Sequence, residues 1–171
     1  MAAAINNTLG TLLVNTYAVP TIPNTTGDDI GSLEVKIAQC AIPVVGTDLA
    51  GSQYRFCQVF SSDIITVLKF SSTALTAGAI SLGLYNAPNL TTLAAGVAAN
   101  VHLFATSVSC ASAITQQDQR FANLALTTIG QRVWQLLGLT SDPLLTYDVV
   151  GTSTTGATAA GTLAVEMVYV R

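Results

Sequence analysis

Charge is what this sequence has least of. Six basic and nine acidic side chains make up 9% of its 171 residues, against about 25% in an ordinary soluble domain. A folded monomer of 17.6 kDa would present about 7,900 Å² of surface, or about 530 Å² for each charge. That is sparse for a monomer that must stay dissolved alone. Ser, Thr, Asn and Gln cover part of the deficit, and the remainder favours a protein that works within an assembly. The net charge of -3 and the lack of a basic cluster argue against a direct nucleic-acid partner, because a phosphate backbone is bound through clustered Lys and Arg. No apolar run reaches the length of a membrane span. The opening Met1-Ala-Ala-Ala-Ile-Asn-Asn also lacks a basic region leading into a secretory core, so no membrane partner is expected.

Reactive constellations are equally scarce. His102 is the single histidine, which excludes a multi-histidine metal site within one chain. Cys40, Cys57 and Cys110 are odd in number and widely spaced, as buried thiols in a reducing cytoplasm would be. There is no G-x-S-x-G elbow, H-E-x-x-H helix, phosphate loop or dinucleotide fingerprint, and no Ser or Thr has an evident base beside it. Asp28-Asp29 lies in a Gly-bounded loop and offers too few oxygens for a calcium cage. Asp48 and Asp63 have simple turn readings. The expectation is a protein that is not an enzyme, with no cofactor and no metal.

What the chain does contain is strand alternation broken by polar turns. Residues 1–32, with Pro20, Pro23 and the G-D-D-I-G segment, read as an extended N-terminal arm. The alternatives are a disordered terminus and an arm that docks on a neighbour, in which case Ile5, Leu9, Leu12, Leu13 and Val14 supply the apolar contacts. Residues 33–171 read as one β domain. Leu33, Val35 and Ile37 alternate with Glu34, Lys36 and Ala38, the pattern of a half-exposed strand. Residues 53–60 and 64–70 suggest a hairpin through Ser61-Ser62-Asp63. Ile80, Leu82 and Leu84 mark a central strand, and residues 100–109 another. Residues 111–126 are ambiguous, with Gln116 to Arg120 fitting a turn or helix. Strands from Leu145 and from Leu163 flank a Thr- and Gly-rich loop that reads as a second hairpin. Seven or eight strands with polar turns point to an all-β antiparallel sandwich, jelly-roll-like, with one short helix.

That helix is expected in the stretch from Ile129 to Asp148. Ile129, Val133, Leu136 and Leu137 recur at helical spacing, Trp134 widens the apolar face, and Gly138 can end the helix in a left-handed conformation. Asp142-Pro143 then turns the chain into the strand holding Tyr147 and Val149. A plug between a sheet end and the next strand is the simplest role. Arg132 beside Trp134 is the pair to test first for a partner contact, since an Arg and a Trp together can fix and anchor one, with a place for Trp134 in the monomer core ranking ahead of it.

Several segments resemble the β-sandwich head-decoration, or cement, proteins of tailed bacteriophages. They lie between Gln53 and Arg171: Tyr54-Arg55 at a strand start, Gly83-Leu84-Tyr85, and W-Q-L-L-G-L-T-S-D-P followed by L-L-T-Y-D. Thr158-Ala-Ala-Gly-Thr-Leu163 leading into a terminal strand completes the likeness. The resemblance implies a structural virion protein, made in the host cytoplasm and carried on the outer surface of the capsid. It further implies the major capsid protein as partner, and a homo-oligomer. A head-fibre base or tail protein is the structural alternative. A carbohydrate-binding sandwich ranks lower, because only 6% of residues are aromatic.

Overall fold

A computed structural model describes residues 34–87 and 98–171. The arm at 1–32, with Ile5, Leu9, Leu12, Leu13 and Val14, falls outside the described residues, as do residues 88–97. Eight strands follow in order: β1 (Val35–Val44), β2 (Gln53–Phe60), β3 (Ile64–Ser72), β4 (Ala79–Asn86), β5 (Ala98–Ser109), β6 (Ile114–Asp118), β7 (Thr146–Thr155) and β8 (Gly161–Val170). A 3-10 turn at Leu126–Thr128 and the helix α1 (Val133–Leu136) sit between β6 and β7. The strands form two antiparallel sheets, ordered β1-β8-β3-β6 and β2-β7-β4-β5. The pairs β1·β8, β2·β7, β3·β6 and β4·β5 nest inside one another along the chain. A long antiparallel ribbon folded at the β4–β5 connection and rolled up has this order, which defines a jelly roll.

Alternation builds the core where one face meets the opposite sheet. In β8, Leu163, Val165 and Met167 are buried while Thr162, Ala164 and Glu166 point away. They join Leu68 and Phe70 from β3 and Val59, Leu82, Leu84, Phe104 and Val149 from the other sheet in a single cluster. Strand β4 is buried on both faces. Gly83 permits this: a Cβ there would stand 2.1 Å from the carbonyl oxygen of Asn100 and 2.4 Å from the carbonyl carbon of Val101. The β5 backbone therefore crosses directly over it, where the β4–β5 register jumps from Leu82↔Ala105 to Leu84↔Asn100.

Several expectations from the sequence need correction. The segments 53–60 and 64–70 are strands, but they are not a hairpin, since β2 pairs with β7 and β3 with β8 and β6. Ser61-Ser62-Asp63 is a corner between sheets, with Ser61 and Asp63 buried. The Thr-rich segment after Val150 is likewise no hairpin loop. It continues β7 to Thr155, held where Gly51 donates to the Ser153 carbonyl and Ser153 to the Ser52 carbonyl, and the chain then crosses to the other sheet. Gln116 and its neighbours form strand β6, an edge whose side chains are nearly all exposed and so carry no apolar period. In β1 the phase is inverted. Val35 and Ile37 are 63% and 67% exposed, while Ala38, Cys40 and Ile42 pack on the core. The helix is confined to Val133–Leu136, and Ile129 lies outside it, 67% exposed. Gly138 does take the left-handed conformation, at φ +72°.

Candidate functional site

The corner between β2 and β3 gathers a cluster of long-range polar contacts. Its three carbonyls are all claimed by the start of α1: the Trp134 N–H donates to Ser61 O at 3.0 Å, Arg132 Nη1 to Ser62 O at 2.7 Å, and the Val133 N–H to Asp63 O at 2.9 Å. Arg132 is the residue preceding the helix, and its backbone N–H is capped by Gln135 Oε1 at 2.8 Å. The predicted pair is thus brought together here, with Arg132 and Trp134 both half-buried. The Ser61 hydroxyl donates to Asp142 and accepts from the Leu145 N–H, at 3.1 Å in the latter case. The Asp63 carboxylate is wholly buried and bound bidentately by Arg171, Nε to Oδ1 at 2.9 Å and Nη2 to Oδ2 at 2.8 Å. The Arg171 guanidinium stacks 4.2 Å from the Phe60 ring centre.

Anchored by that corner, the β6–β7 connection turns apolar side chains outward. Leu126, Ile129, Leu139, Leu144 and Leu145 are between 40% and 83% exposed. Leu144 is the most exposed of them and has φ +55°, a conformation that costs a non-glycine residue about 1 kcal/mol or more. It is held there because its N–H donates to Asp142 Oδ1 at 2.9 Å and the following N–H is fixed by Ser61. A leucine presented on a strained, tethered turn is a feature of a contact surface more than of a monomer's solvent coat.

The outward face of β1-β8-β3 is a second unusual surface. Cross-strand partners form rows: Val35–Val170–Ile64, then Ile37–Val168–Val67, then Gln39–Glu166–Lys69, then Ala41–Ala164–Ser71. The third row is joined by Lys69 Nζ to Glu166 Oε1 at 2.9 Å and Gln39 Nε2 to Glu166 Oε2 at 2.7 Å. These hydrogen bonds, that of Lys69 first, hold the Glu166 carboxyl below its ordinary value. Two shallow depressions lie over the small-residue end. One of about 300 Å³ includes Ala41, Lys69, Gln116 and Glu166, and one of about 270 Å³ includes Thr73, Ile114 and Thr162, with Ser71 and Ala164 bordering both.

Elsewhere the titratable groups have structural surroundings. Arg55 binds Asp148 at 2.6 Å on the second sheet. The buried Arg120 donates through Nε to the Ile65 carbonyl at 2.8 Å and lies 4.7 Å from the Phe121 ring centre. Burial, its largest cause, lowers the Arg120 pKa. Burial, with Cys40 nearby, pushes the Cys57 thiol up to about 12, and the three cysteines are free. His102 is exposed on β5. Among the described residues no group of three or more His, Cys, Asp or Glu side chains is arranged to hold a metal ion.

Among the described residues the fold is an eight-stranded jelly roll whose distinctive surface features are exposed apolar side chains. No family model and no curated protein matches the sequence. A solved structure, "Cyanophage Pam1 capsid asymmetric unit", is similar over 81% of this chain and 85% of its own, at 14% identity and a TM-score of 0.48.

Proposed function

We propose that this protein is a structural component of a virion that docks on the outer surface of the capsid and stabilises the shell of major capsid protein. The observation that carries the reading is the β6–β7 connection, where five large apolar side chains, led by the strained Leu144, project beside Arg132 and Trp134. In a chain with 9% charge, such a surface is suited to burial against another protein. Leucines seated in a partner give about 1.5–3 kcal/mol each before ordering costs are subtracted. Repeated attachment around a shell turns a modest single-site affinity into firm retention. The arm at 1–32 supplies the second contact, through Ile5, Leu9, Leu12, Leu13 and Val14.

The test is binding to purified, preassembled heads, with circular dichroism to verify folding. Leu144→Asp with Leu145→Asp, and separately deletion of residues 2–14, should each leave the β domain folded and weaken attachment. Equal affinity and equal heat resistance of heads bearing the shortened protein would remove the arm from the clamp. Failure of the intact protein to bind heads would sink the capsid assignment and favour a fibre or tail position.

A further inference from the structure

We propose that Cys40 and Cys57 are a cross-linking pair, which in an oxidising medium forms a disulfide that staples the two sheets along their β1/β2 edge. The three cysteines are free thiols, so the bond is a later modification of a fold that forms without it. The ladders place both side chains. Cys40 stands opposite Val165 on β8, and Cys57 opposite Val149 on β7. Directly opposed residues share a face of their sheet, and Val165 and Val149 belong to the core. Both thiols therefore point between the sheets, from β1 at the edge of one and β2 at the edge of the other. Their levels match as well. Cys40 lies four residues before the end of β1 and Cys57 four residues after the start of β2.

Stacked sheets stand about 10 Å apart, whereas a disulfide needs Cα atoms within about 7 Å. Along this edge the sheets converge, with Cα atoms of β1 and β2 within 8 Å of one another. Asp48 in their connection draws them together, accepting from the Val45 N–H at 3.1 Å and the Tyr54 hydroxyl at 2.9 Å. The approach extends to the thiols: after burial, negative charge on Cys40 is the next cause that holds the Cys57 thiol protonated. Cys110, buried just beyond β5 with its N–H on the Gly78 carbonyl, shares neither strand. The oxidant is a small disulfide such as oxidised glutathione. The Cys40 thiolate attacks it, forming a mixed disulfide and releasing one small thiolate. Cys57, on losing its proton, attacks the Cys40 sulfur and expels the second. Two protein thiols are oxidised, one small disulfide is reduced, and the two protons end on the two small thiols. The second step is intramolecular, so no reagent has to reach Cys57 from outside. Thiols stay reduced in a cytoplasm and oxidise outside it, so the bond tightens this edge once the protein leaves a cell.

The cross-link does not depend on the capsid reading and is measured without capsids, so either idea can fail while the other stands. The experiment incubates the folded, fully reduced chain with oxidised glutathione at pH 8, with circular dichroism before and after. Free thiols are then counted in denaturant, and linked peptides are mapped by mass. The count should fall from three to one, with a single linked pair that holds Cys40 and Cys57. Cys40→Ala and Cys57→Ala change half-buried side chains, so each should fold and yield at most a glutathione adduct. The cross-linked wild type should melt about 6–12 °C above its reduced form, because the closed loop restricts the unfolded chain. Neither variant should show that rise. A thiol count that stays at three, a link through Cys110, covalent dimers in place of the internal bond, or an oxidised protein no more heat-resistant than the reduced one would each overturn the proposal.

Discussion

Replacing Arg171 with alanine should cost the fold about 2–3 kcal/mol. Asp63 is wholly buried and receives three hydrogen bonds, two from Arg171 and one from the Phe60 N–H at 2.9 Å. Arg171→Ala removes the two charged donors and leaves a carboxylate with a single backbone partner. Stranding a buried charge costs about 3–5 kcal/mol. The figure here is set lower because the Arg171 side chain is 39% exposed, so its removal admits water to Asp63. The stack on Phe60 at 4.2 Å adds a contribution of about 0.5–1 kcal/mol that disappears with it. Trp134, the single tryptophan, is tied to the same corner through its N–H, and its fluorescence follows unfolding in urea. With a slope of about 2 kcal/mol per molar, the midpoint should fall by about 1–1.5 M at unchanged slope. Arg171→Lys should recover only part of the loss, since an ammonium cannot bind both oxygens in the fork geometry. A midpoint shift worth less than about 0.5 kcal/mol would refute the view that this pair closes the corner.

Gly83→Ala should destabilise by about 3 kcal/mol or more or abolish folding, because the added carbon meets backbone that cannot yield without moving β5; soluble yield and thermal melting will show it. Cys57 and Cys110, whose thiols burial pushes up, should resist a thiol reagent at pH 8 while folded and react after unfolding. Fast native reaction at either position would contradict their placement. Lys69→Ala should move the Glu166 titration upward, read by carboxyl NMR. The sign follows from linkage: a depressed folded pKa gives stability present above the unfolded value and lost as pH falls through the folded one, so Lys69→Ala should flatten the acid limb of stability.

The strands that could be read directly were those with one face in the core. β8 alternates because Leu163, Val165 and Met167 meet the opposite sheet, and β4 stands out through Ile80, Leu82 and Leu84. Partners were not legible, because period two says which way a side chain points and nothing about which strand lies beside it. Two sheet-crossing corners therefore looked like hairpins. β1 misled for a related reason: Val35 and Ile37 are the larger apolar residues, yet they face outward while the smaller Ala38 and Cys40 reach the core. β6 had no signal at all, since Thr115 to Asp118 are exposed along an edge. Arg132 and Trp134 stand out by residue type alone, and their structural junction with the 61–63 carbonyls is set by the tertiary fold. The turn reading of Asp63 caught its link to Phe60 and missed Arg171, far away in sequence.

The nesting of the strand pairs also dictates when this chain can fold. Among the described residues β1 pairs with β8 alone, and the first residue of β1 pairs with the last of β8. A contact that closes nearly the whole domain pays the loop entropy of everything between, and such topologies fold slowly. During synthesis β1 must wait unpaired until β8 has been made, with its core-facing Ala38, Cys40 and Ile42 uncovered. β4 and β5, joined by the innermost connection, can find each other far sooner. Assembly of the sandwich should therefore run from the inside of the ribbon outward, with the β1·β8 seam closing last.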